Sequence, residues 1–187
     1  MLSKKHKNLG FSLIELLVTL AISILIVSAV LFRFDAFDSV VVLKSIAYEI
    51  ALTVREAQVF AVSAAGDTGG VFDTPYGVYV NNVNRQDYIF FEDSNNNFRY
   101  DSGSDTIIET YTMNNKYQIV DMCVNATCGK NNVSLVFQRP NFDPNIVSSP
   151  VQANPTSATI RIGMTDDPNT TFSVIVGLTG QVTVTTP

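Results

Sequence analysis

Histidine is almost missing from this chain of 187 residues: His6 is the only one, and it lies ahead of a long apolar run. The chain beyond that run therefore has no imidazole with which to build the ordinary Ser-His or Cys-His pairs of nucleophilic catalysis. Cysteine is nearly as scarce, limited to Cys123 and Cys128, and without histidine partners the two do not make a zinc site. A glycine-rich phosphate loop is absent. Basic residues are thin beyond the run, scattered singly at Arg85, Arg99, Lys116, Lys130 and Arg139, with none after Arg161. Together with a formal charge of -5, that pattern disfavours nucleic acid as a partner. Paired carboxylates such as Asp166-Asp167 fall in turn sequence, where solvation outweighs general acid-base work. What remains is a protein expected to be neither an enzyme nor the carrier of a cofactor. Proline and glycine are also absent between Phe11 and Ala65, so nothing there interrupts a helix.

What the sequence does contain is concentrated near its start. From Phe11 to Phe32 the apolar run is broken only by Ser12, Glu15, Thr19, Ser23 and Ser28, which is long enough to cross a bilayer. A secretory signal needs an apolar stretch of roughly 7–15 residues and then a small-residue cleavage site. Here the stretch is longer and Phe32-Arg33-Phe34-Asp35 follows, so that reading fails. The two left are a permanent anchor and a short leader followed by a helix. Both keep Lys4, Lys5 and Lys7 in the cytoplasm and put the C-terminal part outside, because basic flanks resist translocation.

The boundary separates them. Gly10-Phe11-Ser12-Leu13-Ile14-Glu15 resembles, position by position, the prepilin peptidase recognition sequence of type IV pilins and type II secretion pseudopilins. The family pattern is a short basic leader ending in Gly, then Phe or Met, then an apolar run with Glu fifth in the mature chain. The resemblance implies cleavage after Gly10, N-methylation of Phe11, and as partners prepilin peptidase, an inner-membrane assembly platform, membrane lipid before assembly and other pilin subunits. A lone carboxylate at the centre of a bilayer costs about 2.5–3.5 kcal/mol on insertion scales. Glu15 either snorkels to the interface or, in the filament, neutralises the new amino group of a neighbouring subunit, since a paired charge in low dielectric is tolerated and an unpaired one is not. The hydroxyls of Ser12, Thr19, Ser23 and Ser28 suit bonds back to the preceding helical turn.

Beyond the run, Ile46, Ile50, Val54, Ala57, Ala61 and Ala64 recur at helical spacing, with Lys44, Glu49, Arg55 and Glu56 off their stripe. The helix is expected over about residues 12 to 65, stopped by Gly66, Gly69 and Gly70, with room for a bend at Asp35 and Asp38. After Gly70 come short runs rich in Val, Ile, Tyr, Phe and Thr, separated by turn residues. Strands are expected at 77–80, 87–91, 106–113, 117–124, 133–139, 158–165 and 172–178, with another at 181–185. Turns fall at Asp166-Asp167-Pro168-Asn169 and Gly177-Leu178-Thr179-Gly180, and residues 140–157, with four prolines, read as one long loop. The division is a leader at 1–10, a transmembrane and assembly helix at 11–33, its amphipathic continuation at 34–66, and an extracytoplasmic sheet domain at 67–187. The fold class is α+β, a long N-terminal helix packed on an antiparallel sheet, which is the pilin fold that the resemblance implies.

Three later segments, Phe90 to Asn97, Glu56-Ala57 and Val176 to Val182, are similar to the H-type minor pseudopilins and related minor pilins. Asp93, Asn95, Asn97 and Asp101 occupy positions 1, 3, 5 and 9 of a calcium-loop pattern. The match stops there: position 6 is Phe98 in place of glycine, position 12 is Ser104 in place of a bidentate Glu, and Asp105 or Glu109 substitutes only along a different loop path. A solvated turn is the plainer reading and calcium the alternative. Cys123 and Cys128 enclose Val124-Asn125-Ala126-Thr127, a loop that a disulfide closes if the Cβ atoms face each other; free buried thiols are the alternative. The function expected is that of a structural subunit of a type IV pilus or secretion pseudopilus, and the resemblance implies a minor one. The competing readings are a tip subunit binding a ligand or DNA, and a signal-anchored envelope protein.

Overall fold

A computed structural model describes residues 11–63, 74–167 and 169–186. The leader, Ala64 and the glycines expected to end the helix lie outside the described residues. The chain forms two compact units, divided after Val41 inside the helix α1 (Leu13–Ser63).

In the first unit, α1 opens as Ser12 accepts from the backbone N–H groups of Glu15 and Leu16 through its carbonyl, at 3.0 and 3.2 Å. The bond to Leu16 is the first of the helical ladder, and the bond to Glu15 satisfies one of the donors that a helix start leaves unpaired. Leu13–Leu31 is long and apolar enough to cross a membrane, and none of it is buried within the protein.

In the second unit, α1 is apolar mainly on one side. Leu43, Ile46, Ala47, Ile50, Val54 and Ala57 are buried, recurring every three or four residues as a packed stripe requires. Phe60 sets its ring edge-on against Tyr76 and Phe90, at 5.7 and 5.4 Å between centroids.

Nine strands follow among the described residues: β1 (Tyr76–Asn81), β2 (Asp87–Glu92), β3 (Thr106–Thr112), β4 (Tyr117–Val124), β5 (Asn132–Phe137), β6 (Pro144–Ser149), β7 (Ser157–Met164), β8 (Thr171–Gly177) and β9 (Val182–Thr185). They make a five-stranded sheet in the order β3-β2-β1-β5-β6 and a four-stranded sheet in the order β4-β7-β8-β9. Every pairing is antiparallel. The α+β class is as expected. The 140–157 loop is not: β6 lies inside it and pairs with β5 from Phe137↔Pro144 to Asn132↔Ser149. As an edge strand it tolerates proline at its first residue, where the missing N–H faces no partner.

The outer face of the larger sheet has a core of its own. Phe90 and Phe91 are both buried across a register shift between them, so neighbouring side chains serve opposite faces. Phe91 packs edge-on to Tyr100, at 5.2 Å, and Tyr100 leans on Tyr79, at 4.7 Å. Gly77 lies beneath them, where a Cβ would sit 2.7 Å from the Leu135 carbonyl and 3.0 Å from the Phe91 ring. The segment between β2 and β3 is thereby folded down onto the sheet.

Candidate functional site

The first candidate is the start of α1. Phe11 is exposed and Glu15 stands in the first helical turn, where the helix dipole favours a carboxylate. Glu15 is the sole charged residue in Leu13–Leu31, and its apolar neighbours are not buried by any of the described residues. Thr19 and Ser23 turn their hydroxyls inward, donating to the carbonyls of Leu16 and Thr19 at 3.0 and 2.8 Å, and the segment carries one charge, the Glu15 carboxylate. Gly10 lies outside the described residues.

Residues 5–31 match the family described as the prokaryotic N-terminal methylation motif. The start of the chain is type IV pilin-like. The match spans the basic leader, the Gly10-Phe11 boundary and the apolar helix, and stops short of the later segments similar to H-type pseudopilins. No curated protein and no solved structure is significantly similar to the chain. A pilin-type start implies assembly with other pilin subunits and handling by prepilin peptidase, and the apolar helix fits a single-pass membrane anchor.

The second candidate in this pilin-like chain is the Asp93 loop. The structure brings Asp93, Asn95, Asn97 and Asp101 together. Asp93 is buried and accepts from the backbone N–H groups of Asn97 and Phe98, at 3.2 and 2.7 Å. Asp101 accepts from the Asn95 and Asn97 amides and pairs with Arg99 at 3.0 Å. Phe98, where a glycine was expected, takes φ 61°, the left-handed conformation that glycine ordinarily supplies. Asp105 also enters the loop: Oδ2 accepts the Asp101 N–H at 2.7 Å, while Oδ1 is buried without a partner. Glu109 instead accepts from the Tyr111 hydroxyl at 2.8 Å, on β3. Burial pushes the Asp93 carboxyl above its ordinary range and the Asp105 charge adds to that, against the lowering by its backbone donors. The sequence offered Asp105 only along a different loop path, and that path, which brings in the residue one beyond Ser104, is what spacing does not encode.

The third is the cysteine pair. Cys123 and Cys128 are joined, Sγ to Sγ, at 2.04 Å. Asp121 lies beside them and accepts the Gly129 N–H at 2.9 Å. With both sulfurs in the disulfide, neither is a thiolate available to a metal. Elsewhere, burial and then the bond to Glu109 push the Tyr111 phenol up to about 12, and burial raises Tyr88, which stacks on it. A high phenol pKa gives no acid or base near neutrality, so this pair is read as packing between α1 and the sheet.

Proposed function

We propose that this chain is a minor structural subunit of a type IV pilus or a type II secretion pseudopilus. It is inserted with its lysines in the cytoplasm, cut after Gly10, methylated at Phe11, and assembled through its apolar helix with the sheet domain outside. The observation that carries this reading is the Gly10-to-Glu15 boundary, set on a membrane-length helix whose single charge is Glu15. A second feature supports helix-mediated assembly. Tyr48, Leu52 and Val59 are 49%, 65% and 58% exposed and share a helix face by their spacing of four and seven, opposite the stripe packed on the sheet. An apolar row left open by the folded domain is suited to a neighbouring subunit. The role is structural, with no catalytic step assigned.

N-terminal mass spectrometry of filament-associated protein tests the proposal. The expected mature chain begins at methylated Phe11. Recovery of intact Met1 in filaments rejects it, and recovery of the protein in membranes alone favours a simple signal-anchored envelope protein.

Calcium at the Asp93 loop is a second reading, favoured by the unpartnered buried Oδ1 of Asp105 beside the buried Asp93. A hard cation there is matched by oxygen ligands, with Asn95 and Asn97 turned to present their carbonyls. It would fix the loop on the outer face of the sheet.

A further inference from the structure

The chain crosses between the two sheets three times, through residues 113–116, 125–131 and 150–156. The second and third crossings are tied to each other. Asn125, at φ 57°, donates its backbone N–H to the Ser157 carbonyl at 2.9 Å. Its side-chain Oδ1 accepts from the Thr156 N–H at 2.7 Å and the Thr156 hydroxyl at 2.9 Å, and its Nδ2 donates to the Asn154 carbonyl at 3.2 Å. Lys130 is buried and reaches the Pro150 carbonyl and Gln152 Oε1, at 3.1 and 3.2 Å. The Asn131 N–H closes the row on the Ser149 carbonyl at 2.6 Å.

The Cys123–Cys128 disulfide closes the turn that aims Asn125 at this contact. Inside it, Val124 and Thr127 exchange backbone hydrogen bonds at 3.0 and 3.1 Å. Cys123 is buried at the end of β4, while Cys128 is exposed. Residue 125 has to hold a left-handed conformation, which few residues with a Cβ other than Asn or Asp adopt readily, while bonding to three residues, Asn154, Thr156 and Ser157. A turn free to open would lose that aim first.

We infer that this disulfide is a redox-sensitive lock on the paired crossings between the two sheets, with a dithiol as its key. One thiolate of the dithiol attacks the exposed Cys128 sulfur, breaking the S–S bond and releasing Cys123 as a thiolate, which takes up a proton. The second thiol of the reagent then displaces Cys128, leaving two protein thiols and the reagent as its own disulfide. Two electrons and two protons are transferred in all. The Asp121 carboxylate, with Oδ2 3.8 Å from the Cys123 sulfur and 3.7 Å from the Arg161 guanidinium, lies beside the departing thiolate. The inference is independent of filament assembly, since every group involved lies within the second unit.

Hydrogen exchange by mass spectrometry on the full chain in detergent, with and without dithiothreitol, tests it. Amides of residues 125–131 and 150–157 should exchange at least about tenfold faster after reduction, while β1, β2 and β5 keep their protection, as separate opening units do. Asn125→Ala in the oxidised protein should speed exchange at 154–157 with the disulfide intact, and so tests the clasp even where a cysteine variant fails to fold. Unchanged exchange at 150–157 in either arm overturns the inference. So does loss of protection across both sheets at once, which makes the bond a staple of the whole domain.

Discussion

At the scale of single residues, Asp93 carries the most information. Its spacing to Asn95, Asn97 and Asp101 was legible in the sequence because oxygen ligands for a cation need those intervals. The loop path that brings in Asp105 rather than Glu109 and the left-handed backbone of Phe98 were not legible, since both depend on how the segment folds down onto Tyr79 and Phe91. Asp93 also sets a test with a defined sign. Its folded-state pKa is raised, so the folded state binds more protons than the unfolded state between the ordinary carboxylate value and the raised one. Stability from this group is therefore present below that window and lost as pH rises through it. Asp101 and Asp167, both held low by side-chain hydrogen bonds, act in the opposite direction, so Asp93→Asn is the needed reference. In chelator, the melting temperature of the native chain relative to Asp93→Asn should rise as pH falls into the window. If calcium binds, the order inverts at neutral pH: the native chain gains about 2.7 kcal/mol at a hundredfold excess of calcium over Kd, and Asp93→Asn gains much less. A melting temperature indifferent to calcium leaves the loop as a solvated turn.

At the scale of elements, the helix and most of the strands could be read because their patterns are local. Ile46, Ile50, Val54 and Ala57 announced a packed face, and alternation of burial marks β4 and β7. β6 was hidden for a physical reason. Its inward positions are Pro144, Ile146 and Ser148, so only one of the three is an aliphatic side chain, and flanking prolines look like loop punctuation although an edge position accepts them. The clasp between the crossings was equally hidden. Lys130 reads as one of several scattered surface cations, and its burial arises only once Pro150 and Gln152 are placed beside it. The two faces of α1 can be separated experimentally. Ile50→Ala, on the packed face, should cost about 2–5 kcal/mol of stability in chemical denaturation. Leu52→Ala, on the open face, should change it by no more than about 0.5 kcal/mol, yet lower the yield of assembled filament. Equal loss of stability in both variants would show that Leu52 serves the fold and that the open row has no assembly role.

At the scale of the whole molecule, polarity is partitioned along the sequence so that one end suits lipid and the rest suits water, and Glu15 is the exception to that partition. Its placement matters more than its cost. Four residues after Phe11 it is near the end of the helix, where a carboxylate could reach water at the interface, so the about 2.5–3.5 kcal/mol that insertion scales assign to the bilayer centre is an upper bound in the membrane. Packing among helices removes that escape and leaves the charge in need of a cation. An amino group freed at Phe11 of an adjacent subunit by the proposed cleavage would be of the right sign, and would make assembly conditional on processing. Glu15→Gln keeps the shape and removes the charge, and Glu15→Leu removes the polarity as well. Both should leave the second unit with unchanged thermal unfolding and the precursor still cut, while filament yield falls sharply. Since an uncharged side chain costs less in lipid, membrane insertion should be at least as efficient as in the native chain. Normal filament yield from either variant, measured by shearing and quantifying subunits, would show that the carboxylate has no partner in the assembled state, and the electrostatic account of assembly would have to be abandoned.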